Sequence, residues 1–288
     1  MIFPLFVIIF LMFVVPKSNA DCNLAEEQIK KTIEKKFNIK VQSIHKIDNF
    51  YEIIVNNNTK SFPIYADCML KYIMVGELVE VESKKNITKL TLAKIKAKSH
   101  RNKEKQLLKF VSKSKLESLS KVLNGKLDLI SVVKVDNIPK TLTFGVEKAD
   151  KQIFVISDPL CPFCSKLHHN IKSLISNGYN LKVNVIFYPL PIHPYAKEVS
   201  AAILCYQKPS MLDFIFQARN NLSAVKKLAS IACNKGFDLL KTHVRFAKKV
   251  NVNGTPNILI PLKNNMFIKI PGALSANVLK ELIEIFFA

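Results

Sequence analysis

The chain has 288 residues, 49% of them hydrophobic with 19 Phe, so it carries apolar mass for about two cored domains and is not a disordered chain. Seven Gly in no period exclude collagen-like and linker-like sequences, and six Cys are too dilute for a small disulfide-stapled scaffold. The 43 basic and 22 acidic residues leave a net charge of +21, which attracts polyanions loosely, but no helix-turn-helix, zinc-finger or RNA-binding pattern accompanies it and no specific nucleic-acid partner is expected.

Residues 2 to 15 are almost unbroken apolar and are followed by Pro16-Lys17-Ser18-Asn19-Ala20. The run has the length of a signal-peptide core and is too short for a membrane span, and Ser18 and Ala20 are the small residues that cleavage after Ala20 requires. Residues 1–20 are therefore expected to be a signal peptide, with an uncleaved anchor as the alternative because no Lys or Arg precedes the run. Export to an oxidising compartment makes disulfides an expectation.

Residues 24 to 37 read as an amphipathic helix with Leu24, Ile29, Ile33 and Phe37 near one face. Residues 40–44, 51–55, 61–65 and 71–81 are β-rich runs separated by Asn, Lys and Asp, which predicts a small antiparallel sheet and a first domain over 21–92. Lys and Arg then crowd residues 94–115, with Glu104 as the only acid. Leu108, Val111, Leu119, Val122 and Leu123 recur at helical spacing before Asn124-Gly125, predicting a helix over about 102–123 within a basic connector, 93–126.

From Leu127 the pattern alternates between strand and helix, which is the signature of an α/β body over 127–288. Strands are expected at 127–135, 152–157, 181–188, 257–260 and 266–270. Within 152–157 the stretch Ile153-Phe154-Val155-Ile156 is continuously apolar, as in a parallel sheet covered on both faces. A helix to about Ser176, a largely helical stretch over 195–250 and a final helix over 276–287 complete the reading. Asn86-Ile87-Thr88 and Asn221-Leu222-Ser223 fit glycosylation acceptors, a short motif that also arises by chance.

The chemistry points to Cys161-Pro162-Phe163-Cys164, which follows a strand and the turn Asp158-Pro159-Leu160 and opens a helix. Unpaired N–H groups at a helix N-terminus favour an anion, so the Cys161 sulfur should ionise below the free-thiol value and act as an exposed nucleophile. Cys164, one turn in, can close a ring with it and resolve a mixed disulfide. Pro162 suits the first helical position, where its missing N–H costs nothing. A zinc site using His168 and His169 lacks a second ligand pair, and covalent haem would need His where Ser165 stands. An inert structural disulfide is the remaining alternative. No metal or cofactor is expected. Gly254-Thr255-Pro256 precedes an apolar strand, and the sequence leaves the Thr255–Pro256 bond open between cis and trans.

These residues resemble the bacterial periplasmic disulfide isomerases of the DsbC/DsbG type. The matching text is Ser157-Asp158-Pro159-Leu160-Cys161-Pro162-Phe163-Cys164-Ser165-Lys166-Leu167-His168, with residues 201–205, Cys233, Gly254-Thr255-Pro256 and Pro271-Gly272. Tyr65-Ala66-Asp67, Lys71-Tyr72-Ile73 and Gly76-Glu77-Leu78 resemble that family's N-terminal dimerisation domain more loosely. The resemblance implies a thioredoxin-like α/β fold with a helical insertion, a small α+β dimerisation domain and a homodimer. It makes Cys161 the nucleophile, Cys164 the resolving thiol and Thr255-Pro256 a cis-proline loop, with Pro162, Phe163, Thr255 and Pro256 meeting the substrate. It pairs Cys205 with Cys233. Cys22 and Cys68 lie outside the usual pattern, and parity pairs them with each other. The implied activity is disulfide isomerisation in misfolded exported proteins in the periplasm, with an inner-membrane reductase of the DsbD type as partner. Net oxidation or reduction of dedicated clients is the alternative enzyme, and a holdase with structural cysteines the alternative from another class. The connector is longer than the family's.

Overall fold

The computed structural model describes residues 22–57 and 60–287, so the expected signal peptide, 1–20, lies outside the described residues. The chain forms two compact units that divide between Lys98 and Ser99.

In the first unit, α1 (Glu26–Phe37) places Glu26 and Glu27 in its first turn and Lys35 and Lys36 in its last, matching the helix dipole. Asn38 ends it in the left-handed conformation at φ 51°. Ile29 and Ile33 are buried as expected, whereas Phe37 is exposed because the helix ends there. β1 (Lys40–Ile47), β2 (Phe50–Asn56), β3 (Ser61–Asp67) and β4 (Ile73–Met74) form one antiparallel sheet in sequence order. The strand expected over 71–81 shrinks to the two residues of β4 and an isolated bridge, Val79 with Asn86. The Asp67 carboxylate accepts the N–H groups of Met69 and Tyr72, which turns the chain, and Tyr72, Val75, Val79 and Val81 stay exposed with no sheet face to bury. Cys22 and Cys68 are disulfide-bonded, with Cα atoms 4.5 Å apart, inside the small core of Ile29, Ile33, Ile53, Val55 and Ile64.

The expected helix over 102–123 is two helices, α2 (Ile87–Leu107) and α3 (Lys113–Val122). Ser112 accepts the Lys115 N–H at 3.3 Å and starts α3 afresh. Leu107, Val111, Leu116, Leu119 and Leu123 are buried in the core of the second unit, and α3 packs against the C-terminal helix. The stretch read as a connector is thus divided: its latter part is core, because its apolar residues find a neighbour 160 positions downstream rather than solvent. Both glycosylation-like triplets are helix starts. Asn86 accepts the Lys89 N–H at 2.8 Å and Asn221 accepts the Ala224 N–H at 3.1 Å.

The second unit holds β5 (Ser131–Lys134), β6 (Leu142–Gly145), β7 (Lys151–Ser157), α4 (Pro162–Ser176), β8 (Leu181–Phe187), α5 (Ala196–Tyr206), α6 (Pro209–Ala218), α7 (Leu222–Ala229), α8 (Asn234–Lys249), β9 (Asn257–Pro261), β10 (Met266–Pro271) and α9 (Ala276–Phe287). The strand expected from Leu127 begins instead as a 3-10 turn, Leu127–Leu129, whose three-residue period puts Leu127 and Ile130 together in the core. The six-stranded sheet runs β5-β10-β9-β7-β8-β6, and only β7 and β8 are parallel. Along β7, Ile153 and Val155 enter the larger core while Phe154 and Ile156 pack on the other face with Phe246 and Val250 of the α8 end. Burial on both faces is the reason Ile153 to Ile156 read as unbroken apolar text.

Candidate active site

Central β7 ends at Ser157, the turn Asp158-Pro159-Leu160 follows, and Cys161 to Cys164 open α4. Cys161 sits at the N-cap of α4 with Pro162 at the first helical position, and its N–H donates to the Asp158 carbonyl at 3.2 Å. Cys161 and Cys164 are free thiols, so both can exchange. Cys161 is only 4% exposed, which corrects the expectation of an exposed sulfur, and the neighbouring Phe163 is 63% exposed. The cover comes from the chain before β9: Thr255–Pro256 is cis, and the Cys161 sulfur lies 3.7 Å from the Thr255 carbonyl. Pro162 and Phe163 are both exposed in the first turn of α4. Pro256 is in turn held by the Gly272 N–H, which donates to its carbonyl at 2.9 Å.

The two sulfurs are electrostatically opposite. A hydrogen bond from Cys164 is the largest influence on Cys161 and, helped by the Cys164 and Phe163 N–H groups, brings its pKa down to about 5 against the effect of burial. Burial first, then the Cys161 sulfur, pushes Cys164 far up. Cys161 is therefore the thiolate at neutral pH and Cys164 the thiol that stabilises it. The Asp158 N–H also approaches the Cys164 sulfur at 3.4 Å.

Asp158, visible in the sequence only as a turn residue, organises the surroundings. Its carboxylate is fully buried, with one oxygen accepting the Leu160 N–H at 2.8 Å. The other accepts the Leu190 N–H at 2.7 Å and meets Nδ1 of His193 at 2.8 Å. One turn along α4, His168 meets Asp213 of α6 at 2.6 Å, and Lys172 reaches the same carboxylate at 3.2 Å. His168, weighed above as a zinc donor, is thus an Asp partner wedged between Phe144 and Phe216, and burial holds its pKa below the ordinary value. Ser165 donates to the Phe216 carbonyl, which Arg219 also binds. The pairings of Asp158 with His193, His168 with Asp213 and Ser165 with Phe216 escaped the sequence reading because the partners lie tens of residues apart. Outside the site, Cys205 on α5 is bonded to Cys233 before α8, with Cα atoms 6.1 Å apart, the pairing that the resemblance implied.

Comparison with known proteins agrees with this architecture. A family described as a thioredoxin-like domain matches residues 142–286, and one described as the disulfide bond isomerase protein N-terminal domain matches residues 20–89. Among solved structures the chain is similar to a periplasmic thioredoxin-like protein from Salmonella enterica serovar Typhimurium, at 17% identity and TM-score 0.42, covering 52% of this chain and 92% of that one. It is similar to Pseudomonas aeruginosa DsbA2 at 18% identity and TM-score 0.42, covering 52% and 96%. It is also similar to Proteus mirabilis ScsC in a compact conformation at 15% identity and TM-score 0.41, covering 67% and 94%. No curated protein matches. With both domain families present and in this order, the chain belongs to the DsbC-type branch of the thioredoxin-like family and is a thiol–disulfide oxidoreductase.

Proposed function

We propose that this chain is a disulfide isomerase acting on misbridged exported proteins in the periplasm. The observation that carries the reading is the pairing of a low-pKa Cys161 with the Thr255 carbonyl 3.7 Å from its sulfur. The Cys161 thiolate attacks one sulfur of a wrong client disulfide. That S–S bond breaks, a Cys161–client disulfide forms, and the other client sulfur leaves as a thiolate. A client thiolate then attacks the client sulfur of the mixed disulfide and regenerates the Cys161 thiolate, with no net change in oxidation state. When no client thiol is available, Cys164 loses its proton and attacks Cys161. This closes the Cys161–Cys164 disulfide and leaves the client reduced by two electrons. A reductant of the dithiol class, an inner-membrane reductase of the DsbD type, returns the enzyme to its working state. Pro162, Phe163, Thr255 and Pro256 form the surface on which the client strand rests.

The N-terminal family match supports a homodimer, as does the exposed apolar segment carrying Met69, Tyr72, Met74 and Val75, which an isolated first unit would leave in water. Among the described residues no helix is long and apolar enough to cross a membrane. The apolar text at 2–15 supports export, with cleavage after Ala20.

Refolding of scrambled ribonuclease tests the reading. The intact protein should restore activity, and Cys161→Ala should remove nearly all of the effect. Equal refolding by the variant would overturn it. Thiol trapping in cells should find Cys161 and Cys164 mostly reduced, and a mostly oxidised pair would make the protein a net oxidase.

A further inference from the structure

The second unit carries two depressions beside the redox turn. One, of about 240 Å3, is bounded by Leu160, the residue before Cys161, and by Arg219, Leu222 and Val225. The other, of about 980 Å3, lies among the residues that follow β8, α5 and α8. His193, Pro194 and Tyr195 line both, so the two adjoin across that segment, a track whose near end is Leu160, the residue before Cys161.

The chemistry of the larger groove is divided. Leu190, Pro191, Phe237, Leu240 and Val244 supply apolar surface, and Lys197, Lys241, Arg245 and Lys248 supply positive charge against the single acid Glu198. Lys241, Arg245 and Lys248 are exposed and fall at i, i+4 and i+7 of α8, one stripe along the helix. Lys241 has a partner in Asp238 at 2.8 Å, but both are over two-thirds exposed and such a pair holds little energy. An occupant of this groove must bury apolar groups and present carboxylates together.

We propose that the track seats an extended, acidic and apolar segment of the client polypeptide, flanking the cysteine that Cys161 attacks. The inference rests on the oxidoreductase reading and names its substrate class. An extended chain turns alternate side chains to opposite sides, so apolar residues meet the floor while acidic ones meet the Lys and Arg stripe. Asp158 bonds Leu160 with one oxygen and Leu190 and His193 with the other, so three hydrogen bonds tie the groove wall to the redox turn. A segment held in the groove brings its disulfide to Cys161 in a fixed geometry, which raises the rate of exchange without any new reacting group.

The test uses peptides of about a dozen residues, each with one cysteine in a mixed disulfide with glutathione, fixed Leu and Phe positions, and flanks that are all Glu, all Gln or all Lys. With the intact protein, kcat/KM should be about tenfold higher for the Glu peptide than for the Lys peptide at low salt, and the difference should shrink as salt rises. K241E/R245E/K248E should abolish or invert the order. An equal charge reversal at exposed residues outside the groove, K121E/K148E/K263E, should preserve it. Equal rates for the three peptides, or loss of the order in both triple variants, would overturn the proposal, the latter assigning it to net charge alone. Fluorescence anisotropy with cysteine-free peptides reads the groove apart from the chemistry. Acidic preference there upholds the groove even where exchange fails for every peptide, a result that would sink the oxidoreductase reading instead. Absence of preference in both assays overturns the groove.

Discussion

The carboxylate of Asp158 and the imidazole of His193 meet at 2.8 Å, and Asp158 has no exposure to solvent. This pair joins the turn that presents Cys161 to the segment after β8, two regions separated by more than thirty residues of sequence.

Replacing Asp158 with Ala leaves the N–H groups of Leu160 and Leu190 and the His193 ring without an acceptor. The three partners are only part-buried, so at about 1 kcal/mol for each group left unsatisfied the expected loss of stability is about 3 kcal/mol by urea unfolding. Asp158→Asn keeps one acceptor oxygen and should lose less. A loss below about 1 kcal/mol for the Ala variant would show that the pair does not hold the turn.

Alkylation of Cys161 by iodoacetamide should follow a titration with its midpoint near pH 5, where the sulfur's lowered pKa lies. Because the Cys164 hydrogen bond is the largest cause, Cys164→Ala should move the midpoint upward. An unmoved midpoint would transfer the stabilisation to the helix backbone.

The Cys205–Cys233 bridge closes a loop of 28 positions between α5 and α8. Loop-closure entropy assigns it roughly 3–4 kcal/mol, so the double Ala variant should lose about that much in chemical denaturation. Gly236→Ala tests the same interface by overpacking, since a Cβ there would run into the Ala201 carbonyl and the Cys205 sulfur. It should cost about 1–3 kcal/mol, and a neutral result would mean that α5 and α8 separate easily.

His168 and His243 are buried, and burial holds both imidazoles below the ordinary 6.5. His243 accepts the Phe187 N–H on Nδ1 and donates from Nε2 to the Lys140 carbonyl, so the folded chain keeps it neutral. Between the lowered folded values and 6.5 the unfolded chain binds protons that the folded chain refuses. Their contribution is complete above 6.5 and is lost as pH falls through the folded values. In a Cys161→Ser background, where the thiolate does not titrate, the urea midpoint should be lower at pH 5 than at pH 7.5. His243→Gln should flatten that slope, and an identical slope in the variant would remove His243 from the account.

Local text specified much of this protein. The C-x-x-C pair reads directly from its strand–turn–helix setting, because helix starts and buried strands depend on residues within a few positions of one another. Every strand and helix from 151 to 187 and from 257 to 287 stands within a few residues of its expected place for the same reason. The tertiary structure alone decided the rest. The place of Thr255 beside Cys161 depends on a sheet that brings together residues 94 positions apart. The basic connector divides at residue 107, and α3 becomes core, because α9 arrives to cover Leu116 and Leu119. Asp158 and His193 pair for the same reason. Periodicity records which face a residue shows, and only packing determines what meets that face.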